Sequence, residues 1–232
     1  MRLLILSIAM SVMPFAQAAA QESDPAVTTI ELPGQVFLRN EFLFTGDRHT
    51  GGASSSFISK NGEVYILTAK HLLGPDMGVQ PAVKPTEFND QLEGWIVYHN
   101  DGDDILAYVT NIVSPNNDED EDVILLKTDA ELENVKNKVL PITQDLPEIG
   151  SRLFAIGCPY SEGETCKQNI YPGTVEIIAG NIVLVKADAP PDSISGFSGA
   201  ALVNEKAEIV AVIYGGGDGE FVGTFLPDWI FD

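Results

Sequence analysis

The residue of this chain best suited to act as a nucleophile is the serine held between glycines in Ser195-Gly196-Phe197-Ser198-Gly199-Ala200. Glycine turns the backbone without a Cβ penalty and leaves peptide N–H groups able to face a ligand. A hydroxyl beside such donors suits acyl transfer. Its oxygen attacks a carbonyl, and the N–H groups of Gly196 and Ser198 hold the oxyanion that develops. Gly-x-Ser-Gly is equally an ordinary turn, so the motif needs partners. A serine requires a base, and the chain has three histidines, His49, His71 and His99. His71 follows the apolar run Val64-Tyr65-Ile66-Leu67-Thr68, which delivers it from the end of a strand. His49 lies in a Gly-rich loop and His99 in a strand, and both read as surface or strand histidines. The third partner is a carboxylate that orients the imidazole. Asp122 abuts the apolar strand Val123-Ile124-Leu125-Leu126, and Asp120 is the alternative in the same acidic run.

The elements that must bring these residues together are short β-branched and aromatic runs separated by Gly, Pro, Asn and Asp. That pattern predicts an all-β sandwich or barrel. Early strands are expected at residues 29–32 and 36–38, with a loop at 45–52. A hairpin follows, turning on Asn61-Gly62, a strong tight-turn dipeptide. Residues 140–150 read as the crossing between two halves, and the second half opens with Arg152 to Ile156. Strands are expected at 173–178, 181–186 and 208–215. The edge of the last of these, at Tyr214 and Gly215, would pair with an extended peptide. The tail from Phe225 to Phe231 is expected to pack onto the body.

Met1-Arg2, an apolar run from Leu3 to Met13 and the small residues Ala16 to Ala20 have the layout of a secretory signal peptide, cleaved after Ala20 or Ala18, with Ala20 preferred. The apolar run is shorter than the roughly 20 residues a bilayer span takes. Export makes a disulfide between Cys158 and Cys166, the two cysteines of the chain, the expected state. The net charge of −21 argues against nucleic acid, whose binding needs a basic patch to displace counterions, and against anionic lipid. It favours basic substrates electrostatically. Asn100 to Asp104 and Asn116 to Glu121 carry enough carboxylates for calcium, but neither has the spacing of a calcium loop, so solvated loops are expected. No metal or organic cofactor is expected.

The chemistry-bearing residues resemble those of the chymotrypsin-fold serine peptidases. Thr68-Ala69-Lys70-His71 is similar to that family's Thr-Ala-Ala-His, with Lys70 as the departure. Asp122-Val123-Ile124-Leu125-Leu126 matches its Asp-[Ile/Val]-Ala-Leu-Leu, and Gly196-Phe197-Ser198-Gly199-Ala200 its Gly-Asp/Asn-Ser-Gly-Gly. The order His, Asp, Ser is also the family's. Ala155-Ile156-Gly157-Cys158-Pro159-Tyr160 resembles Ala-Ile-Gly-Asn-Pro-Phe of the bacterial Deg-type branch, although no room is left for that branch's appended peptide-binding module.

The resemblance implies two six-stranded antiparallel β-barrels, at about 27–140 and 141–232, with the active site in the cleft between them. It implies a secreted or periplasmic endopeptidase using His71, Asp122 and Ser198, with Gly196 and Ser198 as the oxyanion hole and a polypeptide as substrate. Asp192 and Ser193, with Tyr214 and Gly215, would line the pocket for the substrate side chain. Asp192 stands six residues before the nucleophile, where trypsin-like members carry a carboxylate for Lys or Arg. Phe197 replaces the acidic residue that pairs with a freshly cut N-terminus in digestive members, so activation by that ion pair is not expected. The rival readings are a peptide- or protein-binding protein with a collapsed oxyanion hole, and an esterase using the same triad.

Overall fold

Asn61 and Gly62 both take positive φ, +54° and +82°, and so form the tight hairpin turn their sequence predicts. The turn joins β2 (Arg48–Lys60) to β3 (Glu63–Thr68) in the computed structural model, which describes residues 29–102, 104–114 and 121–232. The signal-peptide segment, Asp103 and Asp120 lie outside the described residues. β1 (Leu38–Phe44), β4 (Leu92–Tyr98), β5 (Ile105–Ile112) and β6 (Ile124–Thr128) complete the first sheet. Its order is β1-β4-β5-β6-β3-β2, and β2 pairs back onto β1 to close a six-stranded antiparallel barrel. A seventh strand, β7 (Val139–Leu140), lies parallel to β2 against Phe57 and Ile58.

Two expectations for the start of the chain are corrected. Residues 29–37 form no strand: Pro33-Gly34 interrupts them, and the N–H groups of Val36 and Phe37 both donate to Gln168 Oε1 (2.7 and 2.9 Å) instead of to a neighbouring strand. The loop expected at 45–52 is mostly strand. Only Thr45 to Asp47 turn, after which Arg48, His49 and Thr50 pair with Phe44, Leu43 and Phe42.

The second half builds β8 (Arg152–Gly157), β9 (Asn169–Ala179), β10 (Ile182–Ala187), β11 (Ala201–Val203), β12 (Ile209–Gly217) and β13 (Glu220–Phe225). These close a second six-stranded antiparallel barrel in the order β10-β13-β12-β11-β8-β9. Alternation along the strands explains closure, because every second side chain faces in and no edge is left unpaired. The first barrel is filled by an aromatic cluster in which Phe42 stacks on Trp95 (ring centroids 4.3 Å apart) and Phe44 and Phe88 pack edgewise. The second is filled by Val183, Val185, Leu202, Ile213 and Phe221, joined by Phe197 from the turn between Ser195 and Gly199. The C-terminal tail returns to the first barrel, burying Ile230, while Trp229 Nε1 donates to Glu121 Oε2 (3.0 Å) beside Asp122.

Candidate active site

β3 and β6 are paired in antiparallel register with Thr68 opposite Ile124. That register places Asp122, two residues before Ile124, beside the short turn Lys70–Leu73 that continues β3. Leu72 and Leu73 are buried and pin this turn. Asp122 then grips His71 twice: Oδ1 accepts the backbone N–H (2.7 Å) and Oδ2 meets Nδ1 (2.5 Å). An ionised carboxylate only accepts, so Nδ1 is the protonated nitrogen and Nε2 is left with a lone pair to act as base. Both side chains are about one-fifth exposed, fixed on one side and reachable on the other. They border an open depression of about 370 Å³ with Lys70, Leu73, Gly74, Ala82 and Val83.

The turn from Ser195 to Gly199 can be accounted for peptide by peptide, since buried backbone groups find partners. The carbonyl of Ser195 accepts from Tyr160 N–H (2.9 Å), and that of Phe197 from Ala200 N–H (2.8 Å). The carbonyl of Ser198 accepts from Ser54 N–H (2.6 Å). The Gly196 carbonyl is held twice, by Arg39 Nη1 (2.8 Å) and Ser54 Oγ (2.5 Å). Phe197 N–H donates to Ile194 O (3.0 Å) and Gly199 N–H to Ile213 O (2.8 Å). The N–H groups of Gly196 and Ser198 have no acceptor among the described residues. In a trans peptide C=O and N–H point opposite ways. Holding the Ser195 and Phe197 carbonyls therefore turns those two N–H groups away from the atoms that hold the turn, an arrangement able to offer two donors to one oxygen.

Ser198 lies at the junction of the barrels. Gly199, with φ of +86°, sits so tightly on the first barrel that a Cβ there would come within 2.0 Å of Ser54 O and 2.2 Å of Thr68 Oγ1. Thr68, three residues before His71, donates to that same Ser54 carbonyl (2.6 Å). The chain thus links the nucleophile turn to the end of β3 through Ser54. A β-bulge in β2 makes this possible: Ala53 is skipped between the pairs Arg39–Ser54 and Asn40–Gly52 and takes a φ of +50°. Bulges re-aim a strand's groups. Here Ala53 N–H turns to the Tyr160 hydroxyl and Ser54 N–H to Ser198.

Cys158 and Cys166 form a disulfide (Cα–Cα 6.0 Å) that closes the loop carrying Tyr160. Of the remaining expected site residues, Ser193 is half-buried, with its Oγ accepting from Ser195 N–H (3.1 Å). Tyr214 and Gly215 are half-buried on β12, whose other edge pairs there with β13 at Gly215–Val222. Asp192 is exposed. His49 pairs with Glu41 on the surface (2.9 Å), away from Asp122. Burial pulls the His99 imidazole below its ordinary value. Among the described residues no cluster of three or more His, Cys, Asp or Glu has the arrangement of a metal site, and no helix is long and apolar enough to cross a membrane.

Sequence reasoning missed Arg39, Ser54, Thr68 and Tyr160. No local pattern flags them, since a strand arginine or serine normally faces water. Thr68 and Tyr160 do lie inside segments that resemble the family's, Thr68 to His71 and Ala155 to Tyr160, but nothing in those segments marks either residue as a support of the Ser195–Gly199 turn.

A profile of the trypsin-like peptidase domain matches residues 53–212. No curated protein sequence matches the chain closely enough to count as a relative. Among solved structures, a serine endoprotease from Yersinia pestis superposes with a TM-score of 0.55 at 26% identity, over 83% of this chain and 59% of that one. The match thus spans about three-fifths of the Yersinia protein. A thermostable serine protease from an extremophilic microorganism superposes with a TM-score of 0.61 at 12% identity, covering 83% of this chain and 91% of its own. A Glu endopeptidase gives 0.59 at 17% identity, covering 88% and 91%. The last two likenesses speak to the fold alone. With its two barrels, its order of site residues and a domain profile running through most of its length, this chain belongs to the trypsin-like peptidase family.

Proposed function

We infer that the chain is an exported serine endopeptidase, with Ser198 as nucleophile, His71 as general base and acid, and Asp122 as the residue that fixes the imidazole tautomer and stabilises its charged form. Ser198 Oγ attacks the peptide carbonyl while His71 Nε2 takes its proton. The tetrahedral oxyanion is received by Gly196 and Ser198 N–H, and His71 returns the proton to the departing amine. Water then hydrolyses the acyl-enzyme by the same route. The observation that carries this reading is the selective pairing of the nucleophile turn. The carbonyls of Ser195, Gly196, Phe197 and Ser198 and the amides of Ser195, Phe197 and Gly199 are bonded, and the two amides that acyl transfer needs have no acceptor among the described residues. A collapsed oxyanion hole would require the Ser195 carbonyl to leave Tyr160 N–H.

The mature chain is proposed to begin after Ala20 and to carry its barrels at about 27–140 and 141–232. The Cys158–Cys166 disulfide supports an oxidising, extracytoplasmic setting. A fluorophosphonate label followed by peptide mapping tests the nucleophile: modification at Ser198 is expected. Mass spectrometry of protein fragments produced by wild type and by Ser198→Ala then tests peptide cleavage. No label at Ser198, or fragments that persist in Ser198→Ala, would refute the reading. Turnover of esters without cleavage of peptides would make the protein an esterase.

A further inference from the structure

Arg39 is 3% exposed, yet no carboxylate among the described residues lies within ion-pair distance of it. Its charge is met by neutral acceptors from three separate segments: Asn100 Oδ1 (2.8 Å), Gly196 O (2.8 Å) and Cys158 O (2.7 Å). Its guanidinium also lies over the rings of Phe37 (4.7 Å) and Tyr160 (4.9 Å). Burying a cation without a counter-charge is unfavourable unless its donors are all used, and an apolar residue would fill such a space with less penalty. The chain carries 34 acidic against 13 basic residues, so a cation sequestered in the interior is drawn from a scarce supply. The planar guanidinium meets the three acceptors from three different nitrogens, Nε, Nη1 and Nη2, spread across its fork; a lysine would have to serve them all from one nitrogen atom.

The acceptors define the purpose. Gly196 O belongs to the peptide between the two oxyanion donors, and Cys158 O begins the disulfide loop whose Tyr160 N–H holds the Ser195 carbonyl. Asn100, itself bonded to Arg39 Nε, donates through Nδ2 to Gly163 O (2.8 Å) and Cys166 O (2.6 Å) at the other end of that loop. The geometry points to Arg39 as a positioning residue that clamps the nucleophile turn and the disulfide loop together, holding Gly196 and Ser198 N–H in the outward orientation that receives the oxyanion. Ser54 Oγ is the second hand on the same carbonyl. The inference rests on the serine-peptidase reading and adds to it the residue from the first barrel that sets the second barrel's donors.

The test measures the rate of fluorophosphonate labelling of the full chain as wild type, Arg39→Ala and Ser54→Ala. Beside it, the downfield proton resonance of the His71–Asp122 pair is recorded by NMR. Loss of an aligned oxyanion donor slows the chemical step by about 100-fold or more, and this is the fall expected for Arg39→Ala. Ser54→Ala, which removes one of two hydrogen bonds to Gly196 O, should fall about tenfold. The His71 resonance should be unchanged in both, and added methylguanidinium should recover part of the Arg39→Ala rate. Labelling within about threefold of wild type in a folded Arg39→Ala overturns the proposal. So does a loss that takes the His71 resonance with it and is not rescued. If Arg39→Ala does not fold, Ser54→Ala decides, and a wild-type rate there overturns it. Failure of the wild type to label at Ser198 would instead sink the peptidase reading.

Discussion

Truncating Phe197 to alanine probes what anchors the nucleophile turn. The ring is fully buried in the second barrel, 5.5 Å from Tyr171 and 5.1 Å from Phe221 between centroids. It also presses on Gly157, where a Cβ would come within 2.7 Å of its edge. Phe→Ala in a packed core costs about 3–5 kcal/mol, depending on how far the surroundings collapse. Gly157 has no side chain to move into the space, and two aromatic contacts are lost, so the upper half of that range, about 4–5 kcal/mol, is expected here. For a domain of this size that lowers Tm by roughly 8–20 °C. Equilibrium urea denaturation of wild type and Phe197→Ala gives the difference directly, and Phe197→Leu, which keeps more of the volume, should lose less. Fluorophosphonate labelling at a temperature where the variant stays folded should also slow, because Ser198 is the next residue along the turn. A loss under about 2 kcal/mol would show that the turn is anchored elsewhere and refute the reasoning.

Asp122→Asn should leave stability nearly unchanged but reduce turnover by about 10⁴-fold, as when the tautomer-setting carboxylate of such a triad is neutralised; activity near wild type by any peptide-cleavage assay would contradict the assigned role. Gly199→Ala should abolish labelling, since the added methyl meets the Ser54 carbonyl at 2.0 Å on a backbone of positive φ; a variant that labels normally would show that the turn adapts. Reducing the Cys158–Cys166 bridge, whose cysteines are 8 residues apart, should destabilise the protein by about 2–3 kcal/mol through loop entropy, read as a shift in denaturation midpoint. Hydrogen bonds from Gln35 and Lys167 hold the Asp101 carboxyl at about 2, below its ordinary 3.8. Its stabilising effect is thus fully present above the ordinary value and is lost as pH falls through about 2. The stability gap between wild type and Asp101→Asn should accordingly narrow on acidification from pH about 5 to about 2, and a gap independent of pH would contradict the assignment.

The amino-acid sequence by itself carried the short-range information. Asn61-Gly62 specified its hairpin turn because only residues that accept positive φ close a two-residue loop. The apolar strands ending at Thr68 and beginning at Val123 put His71 and Asp122 at strand ends, and a lone pair of cysteines eight residues apart announced their bridge. It misplaced the first strand and the start of β2, where what decides is which neighbour a backbone N–H finds: Gln168 captures those of Val36 and Phe37 from far along the chain. The support of the nucleophile turn belonged wholly to the tertiary structure. Arg39 and Gly196 are 157 residues apart, and Ser54 and Gly196 are 142. A hydrogen bond leaves no periodicity in either partner's neighbourhood, so a buried arginine and an exposed strand arginine read alike until both barrels have closed around it.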